Sequence, residues 1–441
     1  MMRRTTILAS CICAVVSAAW GRVPSPSGLV DDDGLAFRIE KTLEEKFLDG
    51  NGVLGCVRDK SDITVYDEKG FYENASMVQG AFLAAMCAKY RATKDRTALD
   101  KARRTFRGIR KIYDLSRPGG EGYYCKPWDW RFQDETSSDQ YVYAMMGLDA
   151  FRELADPGEC DQIREMLTAM ARFWIDRKYR YRYLGRMLDW QQCRFVSFMA
   201  YARRVSEAPV FADELSRLLD SSAATSDIPF RASLSLKKSV RSDGLVVYEV
   251  DPEAALAAWL SLWPAVQDGP RCAYYDHVMQ EVFDFVVNSL APDGTSYSTL
   301  VRREDGRYVE MDPSQTLVEP EDASDPRWNA LLYRTIGPYR YGGRHSAAGV
   351  ATLVLMAPYF RPADEWVRAN AAAYLDRIAA GPFTSVADPH HVLPADYVRK
   401  FADRPRGEGY ADWLLAYWTL AGRSKMTAFN DNEKEKGGCI R

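Results

Sequence analysis

Histidine is the scarcest of the residues that commonly carry chemistry in this 441-residue sequence. It occurs only four times, and only His345 falls where a loop meets a predicted inner helix. None of the nine cysteines forms a CxxC pair. Zinc sites are built mainly from histidine and cysteine at close spacing. We therefore expect no metal ion. The sequence also contains no motif for another cofactor, and we expect none.

Several further features are missing, and each excludes a class of protein. No glycine-rich phosphate loop follows a predicted strand, and there is no GxSxG nucleophile motif. The formal net charge is only -3, which gives no reason to expect a nucleic-acid partner. Beyond the N-terminal leader, no apolar run is long enough to cross a bilayer, so we expect no membrane span.

The N-terminal segment 1–19 is predicted to be a signal peptide. Two arginines at positions 3 and 4 precede an apolar run over 7–15, and small residues at 17–19 offer a cleavage position. An alternative is the bacterial lipoprotein box that ends at Cys11, which would leave a lipid on that cysteine. Both interpretations place the mature protein outside the cytoplasm, either periplasmic or secreted.

Two kinds of helix alternate along the rest of the chain. The first kind is apolar on nearly every side and must be enclosed by others. We predict these inner helices near 74–92, 136–155, 187–206, 252–266, 344–360 and 408–421. The second kind has one charged face, with apolar residues three and four positions apart. We predict these outer helices near 34–48, 96–115, 158–177, 209–221, 271–290 and 363–380.

Six sequential hairpins of this kind close most simply into a double ring of helices, the (α/α)6 toroid. An open solenoid would show a fixed repeat, and none is found. The sequence thus predicts an all-α domain over 20–423, with a small β-hairpin over 294–310 that turns at Asp305-Gly306. Residues 424–441 are polar and are predicted to be a frayed C-terminal tail.

The long connections all lead from an outer helix into the next inner helix, so they gather at one end of the ring. Functional residues concentrate in such loops. One of them, 121–139, carries Asp134 and Asp139 among aromatic residues. Glycosidic bonds are cleaved by a carboxyl that donates a proton and a carboxylate that acts as base or nucleophile. Either aspartate could be the acid, although both could also serve only as helix caps.

Other side chains are predicted to face the same mouth. Candidate partner acids are Glu73, Asp189 and Glu408. Candidate substrate-binding residues are Trp128, Trp130, Tyr124, Trp190, Tyr341, Arg344 and His345. Guanidinium groups would suit an acidic sugar, because they pair with a carboxylate through two hydrogen bonds. Ion pairs that merely hold the loops together are the alternative.

The segment ENASMVQGAFLAAMCAKYRATKD, an outer helix, a glycine- and aromatic-rich loop, and FQDETSSDQYVYAMMGLDAF follow one another between Tyr72 and Trp174. This order resembles the six-hairpin glycosidase superfamily, and within it the unsaturated uronyl hydrolases that act on products of polysaccharide lyases. The resemblance implies one catalytic aspartate before the second inner helix, which matches Asp134 or else Asp139. It implies another at the start of the first inner helix, where this sequence has Glu73 and Asn74 instead.

Three functions follow from these observations. The first is a glycoside hydrolase acting on oligosaccharides, including unsaturated or acidic ones. The second is a polysaccharide lyase on the same scaffold, with Tyr339, Tyr341, Arg344 and His345 available to neutralise a uronate and move a proton. The third is a non-catalytic toroid that binds glycans or a protein, in which the acids are only caps.

Overall fold

Eleven α-helices are seen in the part of the chain that the computed structural model describes. The described residues are 33–56, 71–183, 186–188, 192–224, 237–240, 246–250, 252–268, 283, 286, 296–297, 299–304, 307–310, 340–341, 343–359, 361–378, 383, 386–388 and 406–436. The inner helices are α2 (Ala75–Thr93), α4 (Ser138–Arg152), α6 (Gln192–Val205), α8 (Pro252–Asp268), α9 (Gly343–Met356) and α11 (Gly407–Lys436). The outer helices are α1 (Asp33–Phe47), α3 (Arg96–Leu115), α5 (Pro157–Asp176), α7 (Pro209–Ala224) and α10 (Arg361–Ile378).

The six inner helices form a closed ring. In chain order each packs against the next, and α11 packs back against α2. The predicted (α/α)6 toroid is therefore confirmed. The predicted outer helix near 271–290 lies outside the described residues, apart from Phe283 and Val286, which are helical and buried.

Local sequence sets where the outer helices begin. Asp95 caps α3, since its carboxylate accepts a hydrogen bond from the backbone N–H of Thr97 at 2.9 Å. Asp156 and Glu159 form a reciprocal capping box at the start of α5. Because each inner helix follows an outer one in antiparallel fashion, all six inner helices point their N-termini toward the same end of the ring. We call that end the N-terminal pole.

Two glycines allow α2 and α4 to pack backbone to backbone. A Cβ atom on Gly80 would lie 2.0 Å from the carbonyl oxygen of Tyr143, and one on Gly147 would lie 2.8 Å from the carbonyl oxygen of Gly80. Since real Cβ atoms do not approach other atoms so closely, larger residues would force these helices apart. The first and second hairpins thus depend on glycine for their spacing.

Short antiparallel sheets decorate the ring. The predicted hairpin over 294–310 is confirmed, because β6 (Thr299–Glu304) pairs with β7 (Arg307–Glu310) across the expected turn. It belongs to a larger sheet than predicted, to which β3 (Lys237–Val240) and β4 (Val246–Val250) add two strands. Strand β4 pairs with its sequence neighbour β3 and also with the more distant β6, and only the fold reveals the second pairing. The remaining strands are β1 (Tyr181–Tyr183), β2 (Arg186–Leu188), β5 (Ser296–Tyr297), β8 (Arg340–Tyr341) and β9 (Val386–Asp388).

The C-terminal segment differs from its prediction. Helix α11 passes through Gly422 and ends only at Lys436, so the frayed tail predicted from residue 424 starts as a continuation of this helix. The stretch is rich in lysine and glutamate, which are good helix formers, and no proline interrupts it. Among the described helices, none combines the length and hydrophobicity needed to cross a bilayer.

The pole opposite to the N-terminal one holds a cavity of about 1080 Å³. There Arg204 binds Asp149 and Asp268, each at 2.6 Å, and Arg91 pairs with Glu153 at 2.7 Å. The inner helices end at this pole, and cations beside helix C-termini offset the helix dipole. These ion pairs link the C-terminal ends of adjacent inner helices, so they stabilise the ring.

Candidate active site

The N-terminal pole brings together polar side chains from the first, second and sixth inner helices. The amide of Asn74, just before α2, donates a hydrogen bond to Oε1 of Glu408 at 3.0 Å. The amide of Gln140, in the first turn of α4, donates to the carbonyl oxygen of Glu73 at 3.0 Å and to Oδ1 of Asn74 at 3.3 Å. Glu408 is only 3% exposed. Glu408, Asn74 and Gln140 thus form one hydrogen-bond network, although Glu408 lies more than 330 positions from Asn74 in sequence.

The neighbouring residue Gly407 positions Glu408 in this network. Gly407, the first residue of α11, donates its backbone N–H to the carbonyl oxygen of Cys56 at 2.7 Å. A Cβ atom on Gly407 would lie 2.3 Å from the carbonyl oxygen of Gly55, so a larger residue would push the start of α11 outward. The Cys56 thiol also accepts from the backbone N–H of Asn74 at 3.0 Å. The segment at 55–56 therefore joins the starts of α2 and α11.

Cys56 is fully buried, close to Glu408. Burial, reinforced by the nearby carboxylate of Glu408, raises the pKa of the Cys56 thiol well above its usual value. A neutral thiol is a poor nucleophile. We conclude that Cys56 supports the site through its hydrogen bond and does not act as a nucleophile.

Two further carboxylates at this pole are held by cations. Glu73 forms an ion pair with Lys126, whose side chain is 1% exposed and lies over the ring of Trp128 at 5.5 Å. Asp139, in the first turn of α4, binds Nε of Arg194 on α6 at 2.6 Å. Both carboxylates keep partial exposure, 32% for Glu73 and 28% for Asp139, whereas their cations are buried. Both side chains can thus meet a ligand while paired with a buried cation.

The Asp139–Arg194 pair should contribute measurably to stability. Changing Arg194 to Gln leaves Asp139 without this counter-ion, and we expect a loss of roughly 1–3 kcal/mol in the free energy of unfolding. In a double-mutant cycle with Asp139→Asn, the two changes should cost less together than their sum. The exposed pair Arg164–Asp161 on α5 is a matched control, with an expected coupling of about 0.5 kcal/mol or less. If urea unfolding gave the same coupling energy for both pairs, the expectation that burial strengthens the Asp139–Arg194 pair would be wrong.

The aromatic loop before α4 is anchored by Asp49 and Tyr72. Trp130 donates its indole N–H to Oδ2 of Asp49 and to the hydroxyl of Tyr72, both at 2.9 Å. Asp129 and Trp130 adopt left-handed backbone conformations, with φ of 54° and 51°. Such conformations are costly for residues other than glycine and are often found at functional sites. The turn Trp128–Trp130 is therefore held in a strained shape.

Several predicted site residues do not join the cluster. The side chain of Asp134 is 70% exposed and pairs with Arg182 of β1 at 3.3 Å, beside a separate cavity of about 340 Å³. Asp134 precedes α4 by four residues, and the loop directs it outward. The prediction that Tyr124 offers a surface to sugar is wrong, because its ring is fully buried against Tyr141. Trp130 is a structural anchor, as described above.

Other predictions fall where the structure gives no side chain. Asp189 and Trp190 lie outside the described residues. Tyr341 and the pair Arg344 and His345 are placed in β8 and at the start of α9, and their side chains lie outside the described part. Of the predicted acids, Glu73, Asp139 and Glu408 lie at the N-terminal pole, and Trp128 lies beside Lys126.

Sequence reasoning missed three members of this pole. Lys126 and Gln140 bind the residues around Glu73, and Asp49 anchors the aromatic turn. No motif marks them, since each matters only through a partner distant in sequence. Within the described residues, no group of three His, Cys, Asp or Glu side chains is arranged to hold a metal ion.

Neither a protein-family model nor a curated protein matches this sequence. Solved structures do match its fold. The GH76 α-mannanase BT2949 of Bacteroides thetaiotaomicron aligns with a TM-score of 0.54 at 9% identity, covering 92% of this chain and 100% of that one. An unsaturated glucuronyl hydrolase of Streptococcus agalactiae aligns with a TM-score of 0.51 at 10% identity, covering 91% and 93%.

A D-mannose isomerase also aligns, with a TM-score of 0.50 at 12% identity, covering 91% of this chain and 99% of that one. These likenesses establish that the chain has the α/α toroid fold found in six-hairpin glycosidases. Because an isomerase shares the same architecture, the fold does not by itself select the reaction. The side chains at the N-terminal pole must carry the functional argument.

Proposed function

We propose that this protein is a glycoside hydrolase that cleaves oligosaccharides at the N-terminal pole. Glu408 is the proton donor to the leaving oxygen. Asp139 or Glu73 is the second carboxylate, acting as base or nucleophile. The observation that carries the proposal is the hydrogen-bond network Glu408–Asn74–Gln140. It links the starts of three inner helices, where Glu408, Glu73 and Asp139 lie.

The surroundings of the acids support these roles. A proton donor must be able to hold a proton until the bond breaks. Glu408 is buried and accepts from the neutral amide of Asn74, which can bond the carboxyl group in either protonation state. By contrast, Asp139 and Glu73 each face a cation, Arg194 and Lys126 respectively. Glycoside hydrolysis requires one carboxyl group that donates a proton and a second that acts as base or nucleophile. The two groups therefore need different surroundings.

The choice of substrate rests on the two carbohydrate-cleaving neighbours. One is an unsaturated glucuronyl hydrolase and the other an α-mannanase. The order of motifs between Tyr72 and Trp174 favours the first. We therefore propose unsaturated or acidic oligosaccharides as the preferred substrates, and we propose that the leader at 1–19 exports the protein to meet them.

The test is a panel of substrates given to the purified mature chain. It includes oligosaccharides released by polysaccharide lyases, mannan oligosaccharides and intact acidic polysaccharides. We expect the ultraviolet absorbance of the unsaturated oligosaccharides to fall as their terminal residue is released. New absorbance from intact polymer would identify a lyase, and binding without turnover of any member would identify a non-catalytic toroid. Either result would overturn the proposal.

A further inference from the structure

Asp49 is not one of the proposed catalytic acids, but it connects two segments that both lead to Glu73. Its Oδ1 accepts hydrogen bonds from the backbone N–H groups of Asn51 at 2.9 Å and Val53 at 2.8 Å. Its Oδ2 accepts from the hydroxyl of Tyr72 at 2.7 Å and from the indole N–H of Trp130 at 2.9 Å. One carboxylate thus receives donors from its own loop, from the start of the first inner helix and from the aromatic loop.

Each of these contacts leads toward a member of the proposed site. Tyr72 directly precedes Glu73, so its position sets the start of the first inner helix. Trp130 closes the turn Trp128–Trp130, in which Trp128 stands two residues earlier and lies against Lys126. Lys126 in turn holds Glu73. Both paths from Asp49 end on the same carboxylate.

The backbone of this turn shows why an anchor is needed. Asp129 and Trp130 are successive residues with left-handed φ, a conformation that non-glycine residues adopt only at a cost in free energy. Two backbone hydrogen bonds close the turn, from the N–H of Trp130 to the carbonyl oxygen of Pro127 and from the N–H of Arg131 to that of Trp128, at 3.2 and 3.1 Å. The indole N–H of Trp130 donates to both Asp49 and the hydroxyl of Tyr72, and these side-chain contacts add a further constraint on the turn. Strain that is held by surrounding contacts in this way is a common feature of ligand-binding loops.

We propose that Asp49 is a positioning residue for substrate binding. It fixes the turn at 128–130 against the start of the first inner helix, so that Trp128 and Lys126 hold Glu73 in place. It does not touch the reacting bond. The inference rests on the proposed hydrolase function for its kinetic readout, but its structural readout does not.

The deciding experiment compares Asp49→Ala and Asp49→Asn with the unaltered protein by hydrogen exchange and mass spectrometry. We expect Asp49→Ala to raise exchange in peptides that cover 123–135, while peptides of the inner helices stay protected. Asp49→Asn keeps one carbonyl acceptor and should restore part of the protection. Asp161→Ala, an exposed acid on the outer helix Pro157–Asp176, is the matched control and should leave exchange at 123–135 unchanged.

Kinetics separate positioning from simple stabilisation. On the substrate found by the panel, Asp49→Ala should raise KM about tenfold, the effect expected from losing an interaction of about 1.4 kcal/mol in the complex, and should lower kcat less. Unchanged exchange at 123–135 overturns the proposal whether or not the chain is an enzyme. Raised exchange with an unaltered KM also overturns it, because Asp49 would then be structural only. Absence of turnover throughout the panel would refute the hydrolase instead. Exchange at 123–135 would then show whether Asp49 holds the turn, and the Kd of a bound panel oligosaccharide would take the place of KM.

Discussion

Glu408→Gln is expected to lower kcat on the best substrate by roughly 10²–10⁴-fold, the usual contribution of general acid catalysis. The glutamine side chain keeps the shape of glutamate and can still accept the hydrogen bond from Asn74, but it cannot deliver a proton to the leaving oxygen. The fold should therefore survive, with an unchanged circular dichroism spectrum.

A matched control distinguishes this effect from a general change of charge. Asp161→Asn removes an exposed carboxylate from the outer helix α5 and should leave kcat unaltered. Asp134→Asn should behave like this control, because Asp134 points outward and pairs with Arg182. If Asp134→Asn abolishes turnover while Glu408→Gln retains it, the proposed proton donor is wrong.

Gly80→Ala is expected to reduce the free energy of unfolding by roughly 3 kcal/mol or more, at the upper end of overpacking effects. Its Cβ atom would lie 2.0 Å from the backbone carbonyl of Tyr143, and neither backbone can move without shifting a whole inner helix. Alanine gains about 1 kcal/mol of helix propensity over glycine, which does not offset the clash. Urea unfolding monitored by circular dichroism measures the change.

The control for this prediction is Gly158→Ala in the first turn of α5. Its added Cβ atom would come no closer than 3.6 Å to another atom, a normal contact. The substitution should therefore alter stability by about 1 kcal/mol or less, and in the favourable direction, since it restricts the unfolded chain. Equal effects at positions 80 and 158 would show that α2 and α4 do not pack as described.

The sequence predicted the ring well because helices that face neighbours on all sides have a distinctive composition. The predicted inner segment 252–266 became Pro252–Asp268, and the predicted outer segment 96–115 was found at Arg96–Leu115. Each kind of helix can be identified from the local spacing of its apolar residues, without knowledge of its distant partners. The closure of the ring followed from the alternation itself.

The site was predicted less completely because its geometry depends on pairs from distant parts of the chain. Glu408 and Glu73 were singled out at the starts of inner helices, and both lie at the N-terminal pole. Lys126 and Asp49 carry no local mark, since their importance arises from contacts with Glu73 and Trp130. Asp134 lies at the position that the resemblance to the uronyl hydrolases implies for a catalytic aspartate. Spacing along the sequence, however, does not predict which way a loop side chain points.

The most direct test of the account is an experimental structure of the Glu408→Gln protein with a bound oligosaccharide from the panel. We expect the sugar to lie at the N-terminal pole, with its glycosidic oxygen within hydrogen-bonding distance of position 408 and the carboxylate of Asp139 or Glu73 close to the same bond. A sugar bound only beside Asp134, or only in the cavity at the opposite pole, would contradict the account.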